Sequence, residues 1–103
     1  MNMVRLIRSA KVKNGGTFAD ALKWAKETAE YLNSKFSLPK VAVYSGLFGD
    51  LYTIFWQADH ESLASIEDAF SKFATDPGYV ALLSKATSLF IEGSARDAVM
   101  RLV

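Results

Sequence analysis

The fold this sequence predicts is an α+β domain running strand, helix, strand, strand, helix, strand. Three observations predict it. Residues 41–58, VAVYSGLFGDLYTIFWQA, are dense in β-branched, aromatic and aliphatic side chains, with glycines in the middle, and read as a hairpin. Residues 17–36 carry Phe18, Ala21, Leu22, Ala25, Ala29, Leu32 and Phe36 on one stripe at about 100° per residue, the period of an amphipathic helix. Asp76-Pro77 then interrupts a second helical stretch with an N-cap residue followed by a first-turn proline.

In order, residues 3–13 read as the first strand. Val4, Leu6, Ala10 and Val12 share one face, interrupted by Arg8, and Arg5, Ile7, Ser9 and Lys11 share the other. The first face suits a helical layer; the second is mixed. Asn14-Gly15-Gly16 ends the strand. Thr17 is the expected N-cap of the first helix, with Asp20 completing a capping box. Trp24 and Tyr31, on the flank of its stripe, either widen the core face or rim a subunit contact. Pro39 disfavours helical geometry at Leu38 and ends this element. The hairpin turns through residues 46–50 and ends at Asp59, the expected cap of a helix over residues 61–75 with Leu63, Ile66, Phe70 and Phe73 buried. A second helical piece over residues 78–90 places Tyr79, Leu82, Leu83, Ala86 and Phe90 on one face. Gly93-Ser94 turns the chain into a last strand over residues 96–103.

Two helical connections between strands give the split βαβ, or ferredoxin-like, unit: a four-stranded antiparallel sheet with its helices on one face. The hairpin is apolar on both faces. Leu51, Thr53 and Phe55 oppose Tyr52, Ile54 and Trp56, and Val41 and Val43 oppose Ala42 and Tyr44. A half-exposed antiparallel sheet alternates apolar with polar, so this one calls for a cover on each side. Helices supply one cover. A second copy of the chain, stacked sheet to sheet in a dimeric α+β barrel, would supply the other.

Composition narrows the function. The 103 residues fit one domain, 1–103. A net charge of +1 argues against a nucleic-acid partner, which calls for a strongly basic face. The absence of cysteine excludes thiolate metal sites and thiol nucleophiles. No apolar run approaches the ~18 residues of a membrane span, and residues 3–7 are too short for a signal peptide. A cytoplasmic protein without a membrane partner is expected. No metal or cofactor site is expected either: no HExxH, GxSxG, P-loop or GxGxxG occurs. His60, the one histidine, reads as an exposed first-turn residue without a partner.

The aromatic residues are the better clue. Tyr44, Tyr52 and Trp56 share parity within the hairpin, and pairing could bring their faces together. They either pack the core and dimer contact or line an apolar pocket for a flat ligand, with Arg5, Ser9 and Arg101 as polar anchors. Trp56, at the strand end, either plugs the core beneath the next helix or borders that cavity.

Gly49-Asp50-Leu51, Phe55-Trp56, His60-Glu61-Ser62-Leu63-Ala64, Asp76-Pro77-Gly78-Tyr79 and Gly93-Ser94-Ala95-Arg96 together resemble the dimeric α+β barrel proteins, in particular the NIPSNAP and antibiotic-biosynthesis-monooxygenase domains. The resemblance spans nearly the whole chain and rests on scaffold signals: strand end, caps and helix restart. It implies a homodimer holding a small hydrophobic or aromatic ligand. As an alternative it implies a cofactor-independent monooxygenase or isomerase acting on a phenolic or quinone-like substrate. The haem-degrading members use an Asn on the first strand and a Trp and a His in the second helical region. Here Ser9 stands near the first position and apolar residues, such as Ile66 and Leu82 or Leu83, near the others, so haem degradation is not expected.

Overall fold

A computed structural model describes residues 3–49 and 51–103. Asp50, which the sequence places in the hairpin turn and in one motif, lies outside the described residues. The elements are β1 (Val4–Lys11), α1 (Phe18–Lys35), β2 (Ala42–Ser45), β3 (Thr53–His60), α2 (Leu63–Ala74), α3 (Pro77–Ala86) and β4 (Arg96–Arg101). The strands form one sheet in the order β2-β3-β1-β4, every pairing antiparallel. This is the ferredoxin-like α+β arrangement expected, with the second helical region in two pieces.

The register decides which residues share a face. Val43, Trp56, Arg8 and Asp97 form one row across the sheet. Tyr44, Phe55, Ser9 and Arg96 form the neighbouring row on the opposite face. The first row belongs to the helix side, where Ile54, Val12, Ala21, Trp24, Ala25 and Phe90 make the main core. Alanines at 21, 25 and 29 are buried and bring α1 close to the strands; Trp24 widens the stripe and is itself core. A smaller cluster of Val4, Leu6 and Ile66, with Phe70 against it, seats α2. β4 is exposed along its whole length.

The caps differ from expectation at two places. Thr17 precedes α1, but its side chain makes no cap bond; Asn14 Oδ1 accepts from the Thr17 N–H (3.1 Å) instead, because Gly15–Thr17 form a 3-10 turn ahead of the helix. Asp59 stays within β3, so Ser62 caps α2, its hydroxyl accepting from the Ser65 N–H at 3.1 Å. The Asp76-Pro77 restart is as expected: Asp76 is extended, and its carboxylate accepts from the Tyr79 N–H at 2.9 Å. The second hairpin strand begins at Thr53 rather than Leu51. Leu51 is an exposed turn residue, and Tyr52 adopts φ 58°, a left-handed conformation uncommon outside glycine. Two contacts hold it there: the Val12 N–H donates to the Tyr52 carbonyl (2.8 Å), and the Tyr52 ring packs edge-on to Phe18 at 5.6 Å. α3 ends at Ala86, and Phe90 reaches the core as the bridge partner of Val12 instead of from a helix. Gly93, at φ 77°, supplies the reversal into β4.

Candidate functional site

The helix side of the sheet is not filled. Between β1, β3 and the helices lies a cavity of about 380 Å³. Its origin is the meeting of small side chains. Ala10 and Ala58 face it from the strands, Ala29 from α1 and Ala86 from α3. Opposed alanines leave volume that a leucine or phenylalanine would occupy in a close-packed core. The walls are aromatic: Trp24, Trp56, Phe70, Phe73, Tyr79 and Phe90. Trp24, Trp56 and Phe90 meet edge-on or tilted, with centroids 5.5–6.2 Å apart.

The polar groups in the walls are mostly consumed. Trp24 Nε1 donates to the Leu82 carbonyl (2.9 Å), which ties α1 to α3. Thr28 Oγ1 donates to the Trp24 carbonyl one turn back (2.8 Å). The exception is Arg8, the one charged residue on an otherwise apolar strand face. It lies beside Trp56 in the cross-sheet row and donates through Nε and Nη2 to the two carboxylate oxygens of Asp97, at 2.7 and 2.9 Å. Its guanidinium stacks over Phe70 at 5.1 Å. The pair lies at the cavity's β4 side with its side chains about 40% exposed. Hydrogen bonding to Asp97 raises the Arg8 pKa, and the reciprocal bond lowers that of Asp97. Burial raises the Tyr79 phenol. All three shifts lead away from neutrality. The chemistry this arrangement offers is an apolar, aromatic recess with one polar corner, suited to holding a flat molecule by contact and a single oriented hydrogen bond.

The six residues singled out in the sequence do not converge on this cavity. Trp56 lines it and also packs the core. Arg5, Ser9 and Tyr44 lie on the opposite, helix-free face, where Arg5 pairs with Asp59 (2.8 Å) and Tyr44 is half-exposed. Tyr52 is in the hairpin turn. Arg101, at the end of β4, borders a shallow groove with Val4 and the first turn of α2. The register sets Tyr44 opposite Phe55, so Tyr44 and Trp56 point to opposite faces, contrary to the shared face that their parity suggested. His60 is buried at the end of β3, not exposed in a helical turn, with Nδ1 2.8 Å from Ser65 Oγ; burial lowers its pKa. It does not line the cavity. Arg8 and Asp97 went unsingled in the sequence, although an arginine interrupting an apolar strand face was the signal available for the first. Among the described residues no group of three His, Cys, Asp or Glu could hold a metal ion, and no helix is long and apolar enough to cross a membrane.

A ferredoxin-like α+β domain with a recess between sheet and helices is the class these features define. Solved structures share the fold. A NIPSNAP family protein of unknown function from Agrobacterium tumefaciens is 22% identical with a TM-score of 0.81, over 98% of this chain and 88% of that one. A protein from Bacteroides fragilis, described as dimeric, ferredoxin-like and of unknown function, is 20% identical with a TM-score of 0.68, over 97% and 94%. SnoaB, a cofactor-independent oxygenase from Streptomyces nogalater, is 11% identical with a TM-score of 0.66, over 95% and 90%. The fold resemblance read from the sequence therefore holds for both groups, NIPSNAP and antibiotic-biosynthesis-monooxygenase proteins being among the structural neighbours. No family model and no curated protein matches the chain.

Proposed function

We infer that the protein is a homodimeric α+β barrel that holds a small hydrophobic or aromatic molecule in the recess between each sheet and its helices. The observation that carries the ligand reading is the cavity itself: about 380 Å³, walled by six aromatic residues, in a mostly apolar lining whose polar members are the Arg8–Asp97 pair, Thr28, Gln57, Ser94 and Arg96. The reading needs no cofactor. The dimer reading rests on the helix-free face. Ile7, Phe55, Tyr44, Ala98 and Met100 spread apolar surface across all four strands there, and Tyr44 and Met100 are about half-exposed. The Bacteroides fragilis neighbour described as dimeric supports it.

Both tryptophans line the recess, so a bound aromatic changes their emission. In a Trp24→Phe background, saturable quenching of Trp56 by planar aromatics at micromolar concentration is the expected outcome. Filling the recess by Ala86→Phe should abolish that quenching while leaving the fold intact. Quenching that persists in the filled variant would place the ligand elsewhere and sink this reading.

A second reading, cofactor-independent oxygenation or isomerisation of a phenolic or quinone-like substrate, is favoured by the fold shared with SnoaB. It asks Arg8 and Tyr79 to orient the substrate oxygen, because none of the shifted groups in the lining is poised to exchange a proton at neutral pH. Oxygen consumption with electron-rich phenols, absent in Arg8→Met, would establish it.

A further inference from the structure

The polar corner of the recess says which kind of ligand fits. Arg8 sits where the strand face calls for an apolar side chain, between Leu6 and Ala10 and beside Trp56. A guanidinium is retained at such a position only if paired and hydrogen-bonded. Asp97 meets that requirement by taking one edge of the planar group, Nε and Nη2, in a two-bond match. The opposite edge, Nη1, is turned away from Asp97. Among the described residues it has no hydrogen-bond partner. The guanidinium plane is held by the carboxylate on one side and by the Phe70 ring beneath it, so Nη1 is a donor fixed in direction. The pair as a unit carries no net charge. An incoming anion at Nη1 would be drawn by Arg8 with that attraction reduced by Asp97 across the guanidinium, and would surrender its hydration on entering a mostly apolar recess. An uncharged acceptor loses far less water and accepts the same hydrogen bond.

We propose that Arg8 is the specificity-determining residue of this recess, and that it selects a flat apolar ligand bearing one uncharged hydrogen-bond acceptor, such as an aryl carbonyl oxygen, over the corresponding carboxylate. Asp97 is the positioning residue. It cancels the charge of Arg8 and aims Nη1. This deepens the ligand reading above and rests on it.

Three probes of nearly one shape separate the possibilities: 2-acetonaphthone (neutral acceptor), 2-naphthoate (anion) and 2-ethylnaphthalene (no acceptor), each titrated by calorimetry into the full-length chain. The expected order is acetonaphthone tightest, by about tenfold over ethylnaphthalene, with naphthoate no better than ethylnaphthalene. Asp97→Asn keeps the shape and one acceptor for Arg8 while leaving the corner with a net positive charge. In that variant naphthoate should gain about tenfold or more and overtake acetonaphthone. The double change Arg8→Met with Asp97→Leu removes charge and donor together, a replacement that ion pairs commonly tolerate. There acetonaphthone and ethylnaphthalene should bind alike. If all three probes bind equally to the unaltered protein, the recess holds ligands but Arg8 does not select them, and this inference falls alone. If naphthoate binds tightest without any substitution, Arg8 acts as a net cation and the inference is overturned. If none of the three binds, the ligand reading falls and takes this one with it.

Discussion

Among the described residues, Asp76 gathers more partners than any other carboxylate. Lys35 pairs with it at 2.9 Å, the Tyr31 hydroxyl donates to it at 2.7 Å, and the Tyr79 N–H donates at 2.9 Å. These contacts, Lys35 first and Tyr31 next, hold its pKa down to about 2 against the opposing effect of burial. One residue thus caps α3 and fastens it to the end of α1. Asp76→Ala should lower the melting temperature by on the order of 5 °C and leave aromatic binding unchanged; an unmoved midpoint would show that the restart is held by Pro77 alone. Gly78 belongs to the same joint. A Cβ there would collide with the Tyr31 hydroxyl and ring. Helix propensity favours Gly78→Ala by up to about 1 kcal/mol, yet the collision should win and destabilise by about 1–3 kcal/mol, measurable by urea denaturation. The same scale governs pH. Burial lowers the pKa of His60, so the folded state prefers the neutral ring, and that contribution is whole above the unfolded value near 6.5. It is lost as pH falls through the depressed folded value. Asp59, Asp76 and Asp97 are also depressed, by Arg5, Lys35 and Arg8 respectively, and their contributions vanish only below the ordinary carboxylate range. Stability should therefore decline in two acid steps. His60→Gln should remove the first, which lies below the ordinary histidine value, and leave the second. A profile in which that step survives would assign it to another group.

At the scale of elements, the strands and helices were legible because each carries its own period: alternation in β1, the 100° stripe in α1, the Asp-Pro restart before α3. What was not legible lies where an element depends on a distant one. The left-handed Tyr52 is held by Val12 and Phe18, 40 and 34 residues earlier, so the start of β3 could not be placed from the hairpin alone. Arg8 meets Asp97 through strand pairing across 89 positions, and no local pattern gives that register. The recess is the extreme case. Each of its alanines reads as good close packing on its own element; the empty volume exists only where four elements bring them face to face. Trp56 shows both sides of this. It packs against Trp24 and Phe90 and also borders the empty space, so core plug and cavity wall, set out as alternatives in the sequence, are joint properties of one ring. Its removal should consequently cost less than that of a sealed tryptophan. We expect about 3–5 kcal/mol for Trp24→Ala, which is 8% exposed and also loses its bond to Leu82, against on the order of 2 kcal/mol for Trp56→Ala. Equal losses in urea denaturation would mean that the recess closes around Trp56 in solution.

For the whole molecule the decisive quantity is the balance between the two sheet faces. Helices bury one. The other carries Ile7, Phe55, Tyr44, Ala98 and Met100, with Ser9 and Gln57 among them, between charged groups: Arg5 paired with Asp59 near one end, Lys11 and Arg96 near the other. An apolar centre with a polar rim is the anatomy of an interface core. Burying about 500 Å² of apolar surface on each chain, within the usual ~800 Å² per partner, would yield roughly 25 kcal/mol at 25 cal/mol per Å². Lost translation and rotation, and the ordering of rim side chains, take back on the order of 4–15 kcal/mol or more, so area alone does not set the affinity; covering the apolar face makes a dimer the expected state. Light scattering at micromolar concentration should then give twice the 11.4 kDa chain mass. Phe55→Asp is the sharper instrument. Phe55 sits mid-row on the helix-free face between Tyr44 and Ser9, outside both core clusters. A charge there leaves the monomer's own core untouched and is intolerable only if a second sheet lies against it. The variant should scatter as a single folded chain and retain the Trp24 and Trp56 emission of the native recess. A Phe55→Asp protein that remains dimeric would show that the two copies meet through another surface, such as the exposed edge of β4.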